Sequence, residues 1–209
     1  MNKPLILIGG GGHCKSVIDV AELAGHKIEG IIDRLENAGK TVLGYPVIGT
    51  DDDIKKYSAT HDFHITIGHI KTNQLRKKLF TAVHEAGGNI TSIISPLARV
   101  SRHAGIGEGS IIMHYALVNS AVSIGTGCII NSYANIEHDA HIGDFCHIST
   151  GAIINGDCRV GNNCFVGSGS TISNGVTICD DCFLSIGTVI AKNIIKSGFY
   201  AGNPGKKIK

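Results

Sequence analysis

Glu137-His138-Asp139 places an imidazole between two carboxylates in three consecutive residues. An imidazole titrates near neutrality and can take a proton from an attacking nucleophile. A carboxylate beside it can fix the ring tautomer and stabilise the imidazolium that forms, and either Glu137 or Asp139 could serve. His147 follows nine residues on, as a second functional imidazole or a surface one. Near the start of the chain, Gly9-Gly10-Gly11-Gly12-His13 follows the apolar run Leu5 to Ile8 and precedes a helical pattern of Val17, Ile18, Val20, Ala21 and Leu23 that stops at Gly25. A strand, a glycine loop and a helix let backbone approach a phosphate and offer the anion a helix N-terminus. Cys14 stands where a third glycine would complete the dinucleotide fingerprint, which argues against a full dinucleotide site. Asp33 ends the apolar run Ile28 to Ile32, roughly twenty residues past the loop, where an acid commonly meets a ribose or base; the alternative is a solvated strand end.

The stretch that carries the Glu-His-Asp string repeats every six residues. From Ile94 to Ile190, all seventeen positions spaced by six are Ile, Val or Leu. A period of six fits neither a helix, at 3.6, nor an alternating strand, at 2. It fits a short strand and a corner, repeated. Two residues before most of these aliphatics sits a small residue, such as Ala116, Cys128, Ala134, Ala140 or Cys146, which strand alternation turns inward as well. The residue after the aliphatic is often Gly or Asn, as at Gly107, Asn119, Gly125 and Gly143, and is expected to accommodate the corner's backbone angles. Three hexads then make one coil, and Cys128, Cys146, Cys164 and Cys182, each three hexads after the last, form one internal ladder of packing thiols. Ile136 and Ile142 point inward, so Glu137, His138 and Asp139 lie outside, where they serve no packing purpose within one subunit.

The first part of the chain reads as a small α/β sheet, with a further strand over Phe63 to Ile67, a helix over Asn73 to His84, and a strand over Ile90 to Ile94 feeding the first coil. A net charge of +2 on 209 residues, with Lys and Arg spread along the chain, argues against a nucleic-acid partner. Seven cysteines, no signal peptide and no apolar run long enough to span a membrane predict a reducing cytoplasm and no membrane insertion. Cys179 and Cys182 lack the second pair that a structural metal site would need, and no metal is expected.

The hexad run resembles the hexapeptide-repeat transferases, whose fold is a left-handed parallel β-helix. Together with the Gly-Gly-His loop it is similar to the NeuD/PglD group of sugar acetyltransferases. The resemblance implies an α/β, Rossmann-like nucleotide-sugar-binding domain over residues 1–90 and a β-helix acetyltransferase domain with a C-terminal tail over 91–209. It implies that Gly9, Gly11 and His13 meet the phosphate side of the substrate and that Asp33 meets the nucleoside. It also implies that His138 is the general base, that Asp139 orients it in preference to Glu137, and that His147 stands near the reacting group. Gly156 is the position implied for the backbone donor to the thioester oxyanion. The ending Tyr200-Ala201-Gly202-Asn203-Pro204-Gly205-Lys206-Lys207 resembles tails that lie near the nucleotide end of CoA, where Lys206 would pair with phosphate or simply be solvated. Acetyl-CoA is the implied co-substrate and a homotrimer the implied assembly.

The activity implied is N-acetylation of a UDP- or GDP-linked 4-amino-deoxy sugar for bacterial surface glycans. The alternatives are O-acetylation of a sialic acid, since a hydroxyl can use the same base, and a non-catalytic nucleotide-sugar-binding protein. The intact His138-Asp139 pair speaks against the last.

Overall fold

A computed structural model describes residues 3–70 and 72–209. They divide into two compact units, the first ending at Ser95 and the second spanning Pro96–Lys209.

In the first unit the apolar runs form β1 (Leu5–Ile8) and β2 (Ile28–Ile32), joined by α1 (Gly12–Leu23). Next come β3 (Thr41–Val42), β4 (Tyr45–Gly49), the single turn α2 (Ile54–Tyr57), β5 (Asp62–Ile65), α3 (Gln74–Glu85) and β6 (Asn89–Ile90). The sheet order is β3-β4-β2-β1-β5-β6, parallel except for the β3–β4 hairpin. That hairpin was not anticipated from sequence. It closes through Leu43 and Gly44, at φ of 48° and 88°, the paired positive values that a two-residue turn requires. The chain leaves β1 to one side and β5 joins it on the other, so the crevice for a ligand opens at the carboxyl ends of these two strands. β5 stops two residues short of the expected Ile67, and the expected strand from Ile90 to Ile94 is two short pieces, β6 and Ile93–Ile94. The β5 end is pinned by the buried Arg76, whose Nη1 donates to the carbonyls of Ile65 and Ile67. His64 is buried with its Nδ1 on the Thr91 carbonyl at 2.9 Å, and burial pushes its pKa down to about 3, so it stays neutral.

The second unit is a three-sided parallel β-helix. Its first face runs from Ile111–Ile112 through Ile129–Ile130, His147–Ile148, Phe165–Val166 and Cys182–Leu184 to Gly198–Ala201. The second runs from Arg99–Val100 through Leu117–Val118, Asn135–Ile136, Ile153–Ile154 and Thr171–Ile172 to Val189–Ile190, and the third from Gly105–Ile106 through Ser123–Ile124, His141–Ile142 and Arg159–Val160 to Thr177–Ile178. Strand partners are three hexads apart in sequence, as in Asn135↔Ile153 and Ile136↔Ile154, which makes each turn of three sides one coil. The hexad aliphatics from Ile112 to Ile190 fill the interior, while Val100 and Ile106 at the open end are only partly covered and Ile94 is exposed. The repeat therefore begins in sequence one coil before it is fully buried.

Two expectations about the repeat need correction. The left-handed corner residue is not the Gly or Asn that follows the aliphatic. It stands three residues after the aliphatic and is often not glycine, as at Tyr115, Ala121, Tyr133, Asp139, Asp157 and Asn163. The glycines next to the aliphatics answer a different demand, close stacking of coils. A Cβ on Gly107 would lie 2.4 Å from the Gly125 carbonyl carbon, and one on Gly143 would lie 2.8 Å from that of Gly161. Nor do the thiols only pack. Cys128 and Cys146 donate to the carbonyls of Gly143 and Gly161 at 3.0 Å each, as Ser110 does to Gly125 at 2.7 Å. All seven cysteines are free, and burial pushes the Cys146 thiol well above its ordinary value, which keeps it a donor. Cys179 and Cys182 stand with sulfurs 3.6 Å apart.

Candidate active site

His138 occupies the corner between the second and third faces, after Asn135–Ile136 and before His141–Ile142. Ile136 and Ile142 anchor this corner in the core, and Asp139 takes the left-handed conformation at φ 62° that turns the chain. Asp tolerates that region better than most residues. The turn is tied to the previous coil by Asp139 N–H on the Ser120 carbonyl at 3.1 Å, and to the next by Asp157 N–H on the His138 carbonyl at 3.0 Å. From this position Asp139 reaches back to its neighbour, and His138 Nδ1 donates to Asp139 Oδ2 at 2.8 Å. The contact assigns the proton to Nδ1 and leaves the Nε2 lone pair free to act as a base. Both side chains are open to solvent, at 60% and 59% exposure.

Asp139, and not Glu137, therefore holds the ring. Glu137 is held elsewhere. Asn119 Nδ2 donates to its Oε2 at 2.8 Å and Asn135 Nδ2 to its Oε1 at 3.0 Å. These two bonds lower the Glu137 pKa, Asn119 contributing most. The hydrogen bond that His138 donates to Asp139 raises the His138 pKa above its ordinary value, with further help from the charges of Asp139, Glu137 and Asp157.

Beneath the imidazole lies Gly156, one coil on. A Cβ there would fall 2.7 Å from His138 Nε2 and 2.8 Å from Cε1, so the ring rests on the glycine backbone. The Gly156 carbonyl accepts from Gly175 N–H at 2.9 Å, while among the described residues no acceptor takes the Gly156 N–H. A proton acceptor and an unclaimed backbone donor thus stand side by side. Groups of these two kinds are what a proton transfer from a nucleophile and the stabilisation of an oxyanion require.

The other sites expected from sequence fall elsewhere. His147 lies on the first face and is buried, at 7% exposure, neither free at the surface nor on the His138 corner. Its Nε2 is 3.3 Å from Asn131 Nδ2, and its ring meets Phe165 edge-on, at the end of a stack continued by Phe183 and Phe199. His141 and His103 are exposed. Lys206 and Lys207 are exposed on a two-residue strand antiparallel to Gly198–Ala201, and Lys207 Nζ donates to the Ser197 carbonyl at 2.7 Å.

In the first unit, Gly9 to Gly12 form the turn between β1 and α1, with Gly11 as the helix N-cap. Gly9 sits at φ 108°, and a Cβ would meet Ile67 at 2.7 Å; both facts require glycine. A Cβ on Gly10 would meet Asp33 Oδ2 at 2.8 Å, so the acid does stand against the glycine loop. Asn37 Nδ2 donates to the same oxygen at 2.7 Å. His13 lies beside Gly68, whose Cβ would be 3.5 Å from that of His13. The loop, His13 and Asp33 are thus gathered at the carboxyl ends of β1, β2 and β5. Nothing within 4 Å would obstruct a Cβ on Gly11 or Gly12, so the helix N-terminus is open there. Sequence reasoning missed the supporting amides Asn37, Asn119, Asn131 and Asn135. Asn119 lies one coil before Glu137, a signal that the coil period offered.

The PglD N-terminal domain family matches residues 4–83. The bacterial transferase hexapeptide family matches residues 139–174, and the hexapeptide repeat of succinyl-transferase matches 158–192. Among solved structures, the acetyltransferase domain of PglB from Neisseria gonorrhoeae is 31% identical, with 99% of this chain and 100% of that one covered at a TM-score of 0.90. PerB from Caulobacter crescentus, in complex with CoA and GDP-perosamine, is 32% identical over 99% of this chain and 97% of its own, at a TM-score of 0.91. An uncharacterized protein, L142, of Acanthamoeba polyphaga mimivirus is 39% identical over 105 residues; the match covers 49% of this chain and 20% of that longer protein.

Proposed function

The chain belongs to the left-handed β-helix (hexapeptide-repeat) sugar N-acetyltransferases that carry a PglD-type N-terminal domain, and from that premise we propose that it moves the acetyl group of acetyl-CoA onto the amine of a nucleotide-linked 4-amino-deoxy sugar. The observation that carries the reading is the His138 ring, fixed by Asp139 through Nδ1 and resting on Gly156 next to its N–H. Solved relatives support the substrates: the PglB domain has been seen with acetyl coenzyme A, and PerB with CoA and GDP-perosamine.

In this mechanism the neutral amine nitrogen attacks the thioester carbonyl carbon. The N–C bond forms and the carbonyl electron pair moves to oxygen, where Gly156 N–H meets it. His138 Nε2 takes the proton from nitrogen, and Asp139 stabilises the imidazolium. Collapse breaks the C–S bond, and the CoA sulfur leaves with the proton that His138 returns. The products are the amide and CoA thiol, and no metal or redox partner enters the balance. The glycine loop, His13 and Asp33 take the nucleotide, with phosphate at the open N-terminus of α1. Lys206 belongs to the CoA side of the reading, and His147 is its second histidine near the reacting group. The exposed corner at His138 needs covering to exclude water, and a cyclic trimer supplies the neighbour.

The test is thiol release from acetyl-CoA against a panel of UDP- and GDP-linked 4-amino sugars and free sialic acids. Release is expected with an amino sugar and not with sialic acid. Release with sialic acid alone would replace the reading with O-acetylation.

The raised His138 pKa gives a second expectation. The base works when neutral, so activity climbs as pH rises through that pKa, and the acid limb of kcat/KM is expected above the ordinary histidine value. Asp139→Asn removes the principal cause of the shift and is expected to move the limb to lower pH while reducing the plateau. An unmoved limb would show that another group titrates.

A further inference from the structure

The corner column after the second face reads Ser101, Asn119, Glu137, Asn155, Ser173 and Ala191, one residue from each successive coil. Five of the six are neutral. The one charge falls in the coil that carries His138. Ser and Asn offer neutral hydrogen-bonding groups at four of the other five levels; Asn155, for instance, donates to the Ile172 carbonyl at 2.7 Å.

The neighbours of Glu137 are arranged around its charge. Both carboxylate oxygens accept from neutral amides, Asn119 and Asn135, which fix the group and lower its pKa, with a smaller contribution from the charge of His138. Asn135 adds an independent observation. By turning its Nδ2 to Glu137 it leaves its own Oδ1 buried and without a hydrogen-bond donor among the described residues. An unpaired buried acceptor is costly, and native structures keep such groups where function requires them. The arrangement accepts that cost to fix a carboxylate on the residue next to the base.

We propose that Glu137 receives the protonated amine of the sugar beside His138, and thereby selects amino sugars over their hydroxyl counterparts. The proposal rests on the N-acetyltransferase reading above. The bound ammonium sheds one proton to solvent before it can attack. When the neutral nitrogen bonds the carbonyl carbon it becomes cationic again, and Glu137 faces that charge until His138 Nε2 removes the proton. The C–S bond then breaks and the CoA thiol leaves. A hydroxyl substrate presents no cation to Glu137 in its ground state, so the carboxylate contributes less to holding it.

The experiment compares wild type, Glu137→Gln and Glu137→Asp with one 4-amino nucleotide sugar as substrate and its 4-hydroxy analogue as competitive inhibitor. Wild-type acetylation of the amino sugar tests the functional reading by itself. Given that activity, Glu137→Gln is expected to raise KM for the amino sugar roughly 10- to 100-fold. The inhibition constant of the hydroxy analogue and CoA affinity should stay within about twofold, and the melting temperature should be that of the wild type. Glu137→Asp, which keeps the charge, should recover part of the preference for the amine. An unchanged KM in Glu137→Gln, equal losses for both sugars, or an aspartate variant no better than the glutamine one would overturn the proposal.

Discussion

His138→Ala is expected to lower turnover by roughly 10²- to 10⁴-fold, the range that a positioned general base contributes, with acetyl-CoA affinity close to wild type. The side chain is exposed on a corner and fills no part of the core, so its loss should leave the fold intact. Its side-chain partner Asp139 is equally exposed and can be solvated in the variant. CoA affinity separates the two ways of losing activity, since a misfolded β-helix would lose it and a missing base would not. A variant that kept most of its turnover would remove the mechanism proposed here.

Gly156→Ala is expected to be nearly as damaging, through geometry and not through loss of a group. The added Cβ would stand 2.7 Å from His138 Nε2, inside contact distance, so the imidazole must swing off its seat. Misplacing a reacting group by about 1 Å can cost about 10²-fold in rate. The Gly156 backbone stays, with its carbonyl still tied to Gly175. Because the obstructed atoms end an exposed side chain, the fold has room to yield and the base does not. The melting temperature should therefore barely change while kcat falls. If the displaced ring loses Asp139, the acid limb should also move down toward an ordinary histidine. Full activity would mean that the ring does not rest on Gly156 during turnover. Lost stability would mean that the glycine serves coil stacking, as Gly107 and Gly143 do.

The hexad of aliphatics was legible because the period belongs to residues that fill a narrow interior, and each position must be apolar whatever surrounds it. The same applies to β1, α1 and β2, whose bounds the apolar runs and the glycines mark. The β3–β4 hairpin escaped notice because two-residue Thr41–Val42 carries no periodic signal, and its turn uses Leu43 at positive φ, which sequence preferences disfavour. The corner residues were misread for a related reason. Gly107 and Gly143 look like turn glycines, but their need is for space against the next coil, a contact three hexads further along the chain.

Residue types and their spacing were enough to establish the order of the two folds and the three-hexad coil, and to single out the Glu137-His138-Asp139 string as the candidate place for chemistry. They could not establish which carboxylate orients His138, because both are sequence neighbours of the ring and backbone conformation at the corner chooses between them. In the folded chain Asp139 takes that role while Asn119 and Asn135 hold Glu137. Folding also puts Gly156 under the imidazole and His147 in an aromatic stack with Phe165. Inward side chains obey the repeat, which a sequence carries. Outward ones answer to coil stacking and corner angles, which exist only once the coils are in register.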